Sequence, residues 1–326
     1  FDKNKIVFNI LRMEYKIQNH IGASNTSCAD KYLIFHVEGG LGKNIASTAV
    51  VTHLKKKYPD RRIIVVSPYP EIFLNNKYIY RVYRFGATPY FYDDYINGKD
   101  TIVFRKEPYF ENDHIMRKTS LYETWFNMYD IPYEKKEICP YLPTNGMQEF
   151  LTQKWEREKP VFVIHTSGGP FDENAQSKAH SWTRDMPPNV AMQIAEAAKK
   201  DYHIIQVCRK NSYMISDVER VDESISNFDL FSLIKVSSKR LLIDSCLQHA
   251  AAAFKMSSTV LWIGTSPAMF GYDVHDNISA RPASGGVKRV DSYLYDYDFV
   301  GSYHEFPYYV EESIFNTDEI LNSLNL

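Results

Sequence analysis

The chain has 326 residues, of which 44% are hydrophobic and 24% are charged, a composition typical of a globular protein large enough for two domains. Its formal net charge of -2 gives no overall field that would draw it to nucleic acid or to an anionic membrane. Four scattered cysteines without a CxxC pair, no apolar run of membrane-spanning length and no signal-peptide pattern in the first 30 residues predict a cytoplasmic protein with no membrane span and no structural zinc.

The first predicted elements form a strand–helix–strand unit. Residues 31–38 predict a buried strand, which the glycine-rich turn at residues 39–42 ends. Residues 44–58 predict a helix with a basic last turn, and residues 62–67 predict a second strand. Because two strands joined through a helix run parallel, the N-terminal half is predicted to hold a parallel sheet. A short strand at residues 101–104 continues the alternation.

The middle of the chain predicts a helix and then a linker. The helix at residues 120–129 opens with Ser120 and Glu123, which have the spacing of a capping box. Residues 135–159 hold several prolines and many charges, and they predict a linker that ends in a short helix.

A second series of alternating strands and helices follows this linker. Its predicted strands are residues 161–164, 203–207, 240–244 and 259–263, and its predicted helices are residues 189–200, 228–236, 247–254 and 311–324. The fold class is therefore α/β, with two Rossmann-like domains at residues 1–155 and 156–326 that face each other across a cleft. The last helix could pack back on the first domain. Ligands of such sheets bind beyond the carboxyl ends of the strands.

The most informative stretch of the chain is residues 241–250. A predicted strand delivers Asp244 to a turn, and the next helix opens at once with Ser245 and Cys246. The N–H groups at that helix start favour a phosphate, and His249 lies one turn further on. A second interpretation stays open, in which Asp244 only caps the helix and His249 is a core histidine.

These residues resemble the donor motif of the heptosyltransferases, glycosyltransferase family 9. That family has Asp-Thr-Gly-x-x-His, an alanine-rich helix, and a strand that ends near Gly-x-Thr-x-Pro. Asp244 and His249 match the first part, with Ser245 in place of Thr and Cys246 in place of Gly. The second part is matched by Gly264, Thr265 and Pro267. The resemblance implies a GT-B fold whose C-terminal domain binds a nucleotide sugar.

Two segments upstream extend the resemblance. Residues 163–169 are similar to the family's strand and small-residue loop, which adds Ser167 and Gly168 to the implied donor site. Residues 181–187 are similar to its Lys-x-x-Pro segment, with Arg184 at the basic position. The resemblance implies that Arg184 pairs with a donor phosphate, for which the planar guanidinium is well suited. A solvated loop cation is the other interpretation of Arg184.

The glycine-rich turn carries the second set of candidate residues. Gly40 and Gly42 would let the backbone approach a ligand at a helix N-terminus. The turn is not a P-loop, because Val37 stands where that motif has its first Gly and Asn44 replaces its metal-binding hydroxyl. Residues 39–42 also resemble the Gly-Gly-Leu-Gly-Asn loop of fucosyltransferases.

The heptosyltransferase family has Gly-Asp in this turn, and its Asp is the proposed base. Lys43 occupies that position here, so we predict that Glu38 takes the role of the base and that Lys43 binds a phosphate. Glu38 could instead cap the turn, and Asp113 and His114 are further candidates. The adjacent carboxylates at residues 93 and 94 lie in a Tyr-rich stretch and do not predict a metal site.

The resemblance implies an inverting, metal-independent glycosyltransferase with a nucleotide sugar as co-substrate and no cofactor. The sugar could be a hexose, pentose or heptose, and the acceptor a glycan, a glycolipid or modified DNA. Two alternatives stay open. One is a catalytically inactive nucleotide-sugar-binding protein, against which the retained Asp244 and His249 argue. The other is an enzyme acting on modified bases of phage DNA, for which the lysines at residues 55–57 and 135–136 are the only support.

Overall fold

A computed structural model describes residues 30–143, 151–168, 184–281 and 313–326, and these residues form two parallel β-sheets with helices around them. The predicted leading segment up to residue 29, residues 144–150 of the predicted linker, residues 181–183 and the Tyr-rich tail lie outside the described residues. Within the described part of the chain, no helix is both long and apolar enough to cross a membrane.

The first sheet has four strands, in the order β3-β2-β1-β4. Its strands are β1 (Lys31–His36), β2 (Arg62–Ser67), β3 (Ile79–Arg84) and β4 (Asp100–Phe104). The helices of this half are α1 (Leu41–Lys57), α2 (Phe91–Tyr95), α3 (Asn112–Ile115) and α4 (Leu121–Met128), with 3₁₀ turns at Pro70–Ile72, Pro108–Phe110 and Lys135–Glu137. All strand pairs are parallel, which confirms the predicted strand–helix–strand unit.

The second sheet has six parallel strands, in the order β10-β9-β8-β5-β6-β7. Its strands are β5 (Val161–His165), β6 (His203–Val207), β7 (Glu219–Val221), β8 (Lys239–Ile243), β9 (Thr259–Trp262) and β10 (Asp276–Ser279). Its helices are α5 (Pro188–Ala198), α6 (Asn227–Val236), α7 (Cys246–Ala253), α8 (Pro267–Phe270) and α9 (Thr317–Leu324).

The direction of chain travel across this second sheet reverses beside its central strand. The chain runs from β5 outward to β6 and β7, and then returns to place β8 on the other side of β5. Loops that leave the carboxyl ends of two such strands diverge and open a crevice between them, which is where ligands of these sheets bind. The crevice between β5 and β8 therefore receives the loop at Ser167 and the turn at Ser245.

The two sheets are joined by direct contact between helices α1 and α7. A Cβ atom added to Gly42, near the start of α1, would lie 2.8 Å from His249 Cδ2 and 3.3 Å from the Cys246 Cα. Ala250 and Ala252 of α7 belong to the same buried apolar cluster as the core of the first half. The small residues on both helices thus allow a close approach, and Gly42 is needed for packing.

In the described part of the chain, the last helix, α9, packs on the second sheet. Its buried residues Ile320 and Leu324 belong to the core of the second sheet, and the helix contacts α5, β8 and β9. The helix begins at Thr317, later than predicted, because the Asn316 side chain accepts a hydrogen bond from Asp318 N at 3.0 Å and caps it there.

Candidate functional site

The turn after β8 presents the start of α7. Ser245 is the N-cap residue, and its hydroxyl accepts a hydrogen bond from Leu247 N at 3.4 Å. Cys246 is the first residue of the helix, so the helix start carries N–H groups with no partner inside the helix. An anion at such a position gains about 0.3–2 kcal/mol from the helix dipole.

The loop after β5 lies against this helix start. The His165 ring bonds Ser167 O through Nε2 at 3.0 Å and the Ser245 hydroxyl through Nδ1 at 2.9 Å. A carbonyl only accepts, so Nε2 carries the proton and the Ser245 hydroxyl donates to Nδ1. Burial lowers the pKa of His165 to about 4, which keeps this ring neutral at pH 7. Gly168 is equally close, since a Cβ there would lie 3.1 Å from Ser245 Cβ.

Asp244 is turned into the protein, and only 8% of the residue is exposed. Burial raises the pKa of its carboxyl group, whereas the charge of Arg184 and hydrogen bonds from Thr265 and Gln248 lower it. The structure therefore brings together Asp244, Arg184 and Thr265, which the sequence resemblance had selected from three separate segments. Gly264 lies two residues beyond the end of β9 and precedes Thr265.

A buried ion pair that the sequence did not reveal supports the β5 loop. Asp185 and Arg209 form this pair, with their side chains 1% and 8% exposed. Arg209 N donates to the Ser167 hydroxyl at 2.9 Å, and Gly168 N donates to the Asp185 carboxylate at 3.4 Å. The pair thus fixes both small residues of the loop. The one sequence signal for this ion pair was the position of Arg209 just after β6, at the carboxyl edge of the sheet.

His249 is enclosed by protein, with 6% of the residue exposed. Its Nδ1 atom is 2.6 Å from the Tyr272 hydroxyl, and its Nε2 atom is 3.3 Å from Gln248 Nε2. The Tyr272 hydroxyl is in turn 2.7 Å from that of Tyr122, in the other half of the chain. Burial lowers the pKa of His249 to about 3. These contacts favour the interpretation of His249 as a core histidine, and a contact with a donor stays a prediction.

The residues on either side of the glycine-rich turn line a small cavity of about 120 Å³ together with the loop after β4. Lys43 is buried there, ion-paired with Glu107, and its Nζ atom is 4.9 Å from the centroid of the Tyr109 ring. Burial lowers the pKa of Lys43, and the hydrogen bond that Lys43 donates to Glu107 opposes that effect. Sequence reasoning missed Glu107, because it lies 64 residues from its partner.

Glu38 stands at the mouth of the same cavity, and 47% of its side chain is exposed. Its carboxylate is 3.2 Å from the Arg105 guanidinium and 3.3 Å from His36 Nε2. The structure therefore brings Glu38 and Lys43 together. Gly40 has no atom within 4 Å of an added Cβ, so its surroundings are open.

The other two base candidates do not line this cavity. His114 is buried between the rings of Tyr109 and Phe270, at centroid distances of 5.4 and 5.8 Å. Burial lowers the pKa of His114 to about 4. Asp113 is exposed and lies 3.6 Å from Lys118. In the described residues, no group of three or more His, Cys, Asp or Glu side chains could hold a metal ion.

No family profile and no curated protein sequence matches the chain. Solved structures do match it. A family 9 glycosyl transferase from Veillonella parvula superimposes with a TM-score of 0.58 at 10% identity, over 78% of this chain and 86% of that one. The ADP-heptose lps heptosyltransferase II of E. coli gives 0.58 at 12% identity, over 90% and 97% of the two chains.

A third match is the dodecameric, iron-containing heptosyltransferase TibC in complex with ADP-D-beta-D-heptose. It gives a TM-score of 0.53 at 14% identity, over 76% of this chain and 62% of that one. The chain thus has the GT-B fold of the family 9 glycosyltransferases, as the sequence resemblance implied.

Proposed function

We propose that the chain is a glycosyltransferase that moves a sugar from a nucleotide-sugar donor to an acceptor hydroxyl. One observation carries the proposal: residues selected by the donor motif meet at the switch point of the second sheet, in a fold shared with family 9 enzymes. Ser245, Gly168, Asp244 and Arg184 come from the loops around β5 and β8. A cation and a helix start that these loops bring to one sheet edge favour an anion there.

In this proposal the donor diphosphate sits at the start of α7. The N–H groups of Ser245 and Cys246 donate to one phosphate, and the Arg184 guanidinium donates bidentately to two phosphate oxygens. The missing side chain of Gly168 leaves room for the backbone to approach. Asp244 accepts a hydrogen bond from a donor hydroxyl or holds Thr265 in place.

The reaction is a single displacement, which inverts the anomeric carbon. The acceptor oxygen forms a bond to that carbon while the bond to the diphosphate breaks, and the diphosphate leaves with the electron pair. Glu38 takes the acceptor proton. We prefer Glu38 over Glu107 because Glu38 is exposed at the cavity mouth, whereas Glu107 is engaged by the buried Lys43.

The proposal assigns no metal ion to this step. Arg184 and the helix dipole supply the positive field that the leaving diphosphate needs, since fixed donors stabilise a developing charge without reorganising. Transfer should therefore continue in EDTA. Activity that EDTA abolishes and Mg²⁺ or Mn²⁺ restores would contradict this part.

A thermal-shift screen of nucleotide sugars tests the donor assignment, because a ligand that binds only the folded state raises its stability. ADP-linked sugars come first, because TibC was solved with ADP-D-beta-D-heptose. The bound sugar nucleotide should raise the melting temperature of the parent and of Arg281→Ala, an exposed arginine in the same half. Arg184→Ala should lose most of that shift.

Two outcomes would count against the proposal. If no nucleotide sugar stabilises the parent, the donor site is wrong. If one binds but is neither transferred nor slowly hydrolysed, the chain is a nucleotide-sugar-binding protein without catalytic activity.

A further inference from the structure

A second cavity, of about 500 Å³, is lined by none of the residues discussed as donor contacts or base. Three parts of the chain line it: residues 117–123 of the first half, the connecting residues 133–139, and residues 268–274 together with the C-terminal end of α7. Its volume is within the range of about 300–1,000 Å³ found for small-molecule sites. We name this cavity the basic pocket.

The charge of the basic pocket differs from that of the chain. The chain has a net charge of -2, yet the described residues that line the pocket include five cationic side chains and two acidic ones. The cations are Arg117, Lys118, Lys135, Lys136 and Lys255, and the acids are Glu123 and Asp273. Positive charge gathered in a concave site attracts an anion more strongly than the same charge on an open surface.

The ion pairs of these lysines are exposed and easily exchanged. Lys135 lies 2.6 Å from Asp273, Lys136 lies 3.7 Å from Glu134 and Lys118 lies 3.6 Å from Asp113, and all six side chains are more than half exposed. Within the described residues, Lys255 is in no ion pair within 4.0 Å. Exposed pairs contribute only about 0–1 kcal/mol, so an anion that enters the pocket meets little competition.

Three tyrosine side chains complete the walls: Tyr122, Tyr133 and Tyr272. The hydroxyls of Tyr122 and Tyr272 are hydrogen bonded to each other, and Tyr272 continues to His249 of α7. Aromatic walls with a polar edge suit the ring of a sugar or a base. Cations suit phosphate groups.

We propose that the basic pocket binds a small phosphorylated compound with a ring, at a site separate from the sugar-nucleotide donor. The inference does not depend on glycosyl transfer, because it rests only on the shape and charge of this pocket.

Cys139 provides a reporter inside the pocket. It is exposed at the pocket wall, and its thiol donates to Ala252 O at 3.6 Å. The rate of its alkylation by iodoacetamide can be followed by peptide mass spectrometry on the full chain. Fructose 1,6-bisphosphate, used as the probe, should slow this alkylation in a concentration-dependent manner.

Paired variants separate the pocket from the general charge of the protein. In Lys136→Gln/Lys255→Gln, half-protection should need a probe concentration about tenfold higher or more, because two charge-assisted contacts are lost. Lys56→Gln/Lys77→Gln removes the same charge from exposed positions elsewhere in the first half and should behave as the parent. Arg184→Ala should also keep the protection, even if the donor assignment fails.

Three results would overturn the proposal. One is an alkylation rate of Cys139 that millimolar probe leaves unchanged. Another is an equal loss of protection in both lysine pairs, which would reflect only the overall field. The third is protection by a single-stranded oligonucleotide but not by fructose 1,6-bisphosphate, which would make the pocket part of a nucleic-acid surface.

Discussion

Mild acid should destabilise this protein strongly, because four histidines are buried in their neutral form. They are His114, His165, His249 and His275, each no more than 6% exposed. Burial lowers the pKa to about 3 for His249 and to about 4 for the other three, from an ordinary value of 6.5. The unfolded chain therefore binds protons at a pH where the folded chain does not.

The direction and the magnitude of the change in unfolding free energy follow from this difference in proton binding. A lowered folded-state pKa contributes stability that is present above pH 6.5 and is lost as the pH falls towards the folded value. In that window, each histidine lowers the unfolding free energy by about 1.4 kcal/mol per pH unit, or by roughly 2 kcal/mol between pH 7 and pH 5. Four groups together reach about 8 kcal/mol, which is comparable to the roughly 5–15 kcal/mol that stabilises a whole domain. The raised pKa of Asp244 opposes part of this loss.

Urea unfolding followed by tryptophan fluorescence measures the effect, since Trp125, Trp155 and Trp262 are buried. The unfolding free energy should fall steeply from pH 6.5 to pH 5. Adding 0.5 M salt should not restore it, because the cause is burial and not repulsion between exposed charges. In His275→Gln, the loss of unfolding free energy over this pH range should be smaller by the contribution of one histidine. An unfolding free energy that stays constant between pH 7 and pH 5.5 would refute the argument.

Three further changes test the site and the contact between the two halves. Glu38→Gln should lower kcat by about 10²–10⁴-fold with little change in donor affinity, because it removes a general base. A turnover equal to that of the parent would exclude Glu38 as the base. Glu107→Gln is the matched control and should retain more activity than Glu38→Gln. Gly42→Ala should destabilise the fold by about 1–3 kcal/mol in urea unfolding, because its Cβ would lie 2.8 Å from His249 Cδ2. An unchanged midpoint of urea unfolding would show that helices α1 and α7 can move apart at no cost in stability. Ser245→Ala should cost about 0.5–2 kcal/mol of stability through the lost N-cap and weaken donor binding in calorimetry; full donor affinity would place the diphosphate elsewhere.

The sequence predicted the central strands and the crossing helix α1 because their signals are local. The apolar run of β1, the glycines after it and the basic end of α1 are each visible within a few residues. Strands β3, β7 and β10 were missed. β3 holds two tyrosines and two arginines among its six residues on a half-buried edge, and β7 and β10 are short edge strands of three and four residues. Edge strands bury little apolar surface, so their sequences carry a weak pattern.

In the candidate site, too, a local motif reveals some residues and not others. Asp244, Ser245 and His249 lie within one turn and helix, so a motif could find them. The pairs Lys43–Glu107 and Asp185–Arg209 join residues 64 and 24 positions apart. Nothing in a single sequence shows which loops the topology will bring to one sheet edge, and neither Glu107 nor Arg209 has a motif around it.

His249 shows how a motif residue can acquire its role from the other half of the chain. Gln248 Nε2 donates to Phe270 O at 3.1 Å, which fixes its amide group so that the same nitrogen faces His249 Nε2. His249 Nε2 must then accept, and Nδ1 carries the proton and donates to Tyr272, which donates to Tyr122. The hydrogen bonds run in one direction from helix α7 to the wall of the basic pocket. This order requires a neutral imidazole, because a second proton on Nε2 would face the amide hydrogens of Gln248. The burial that lowers the pKa of His249 therefore also preserves the connection between the helix that starts at Ser245 and the basic pocket.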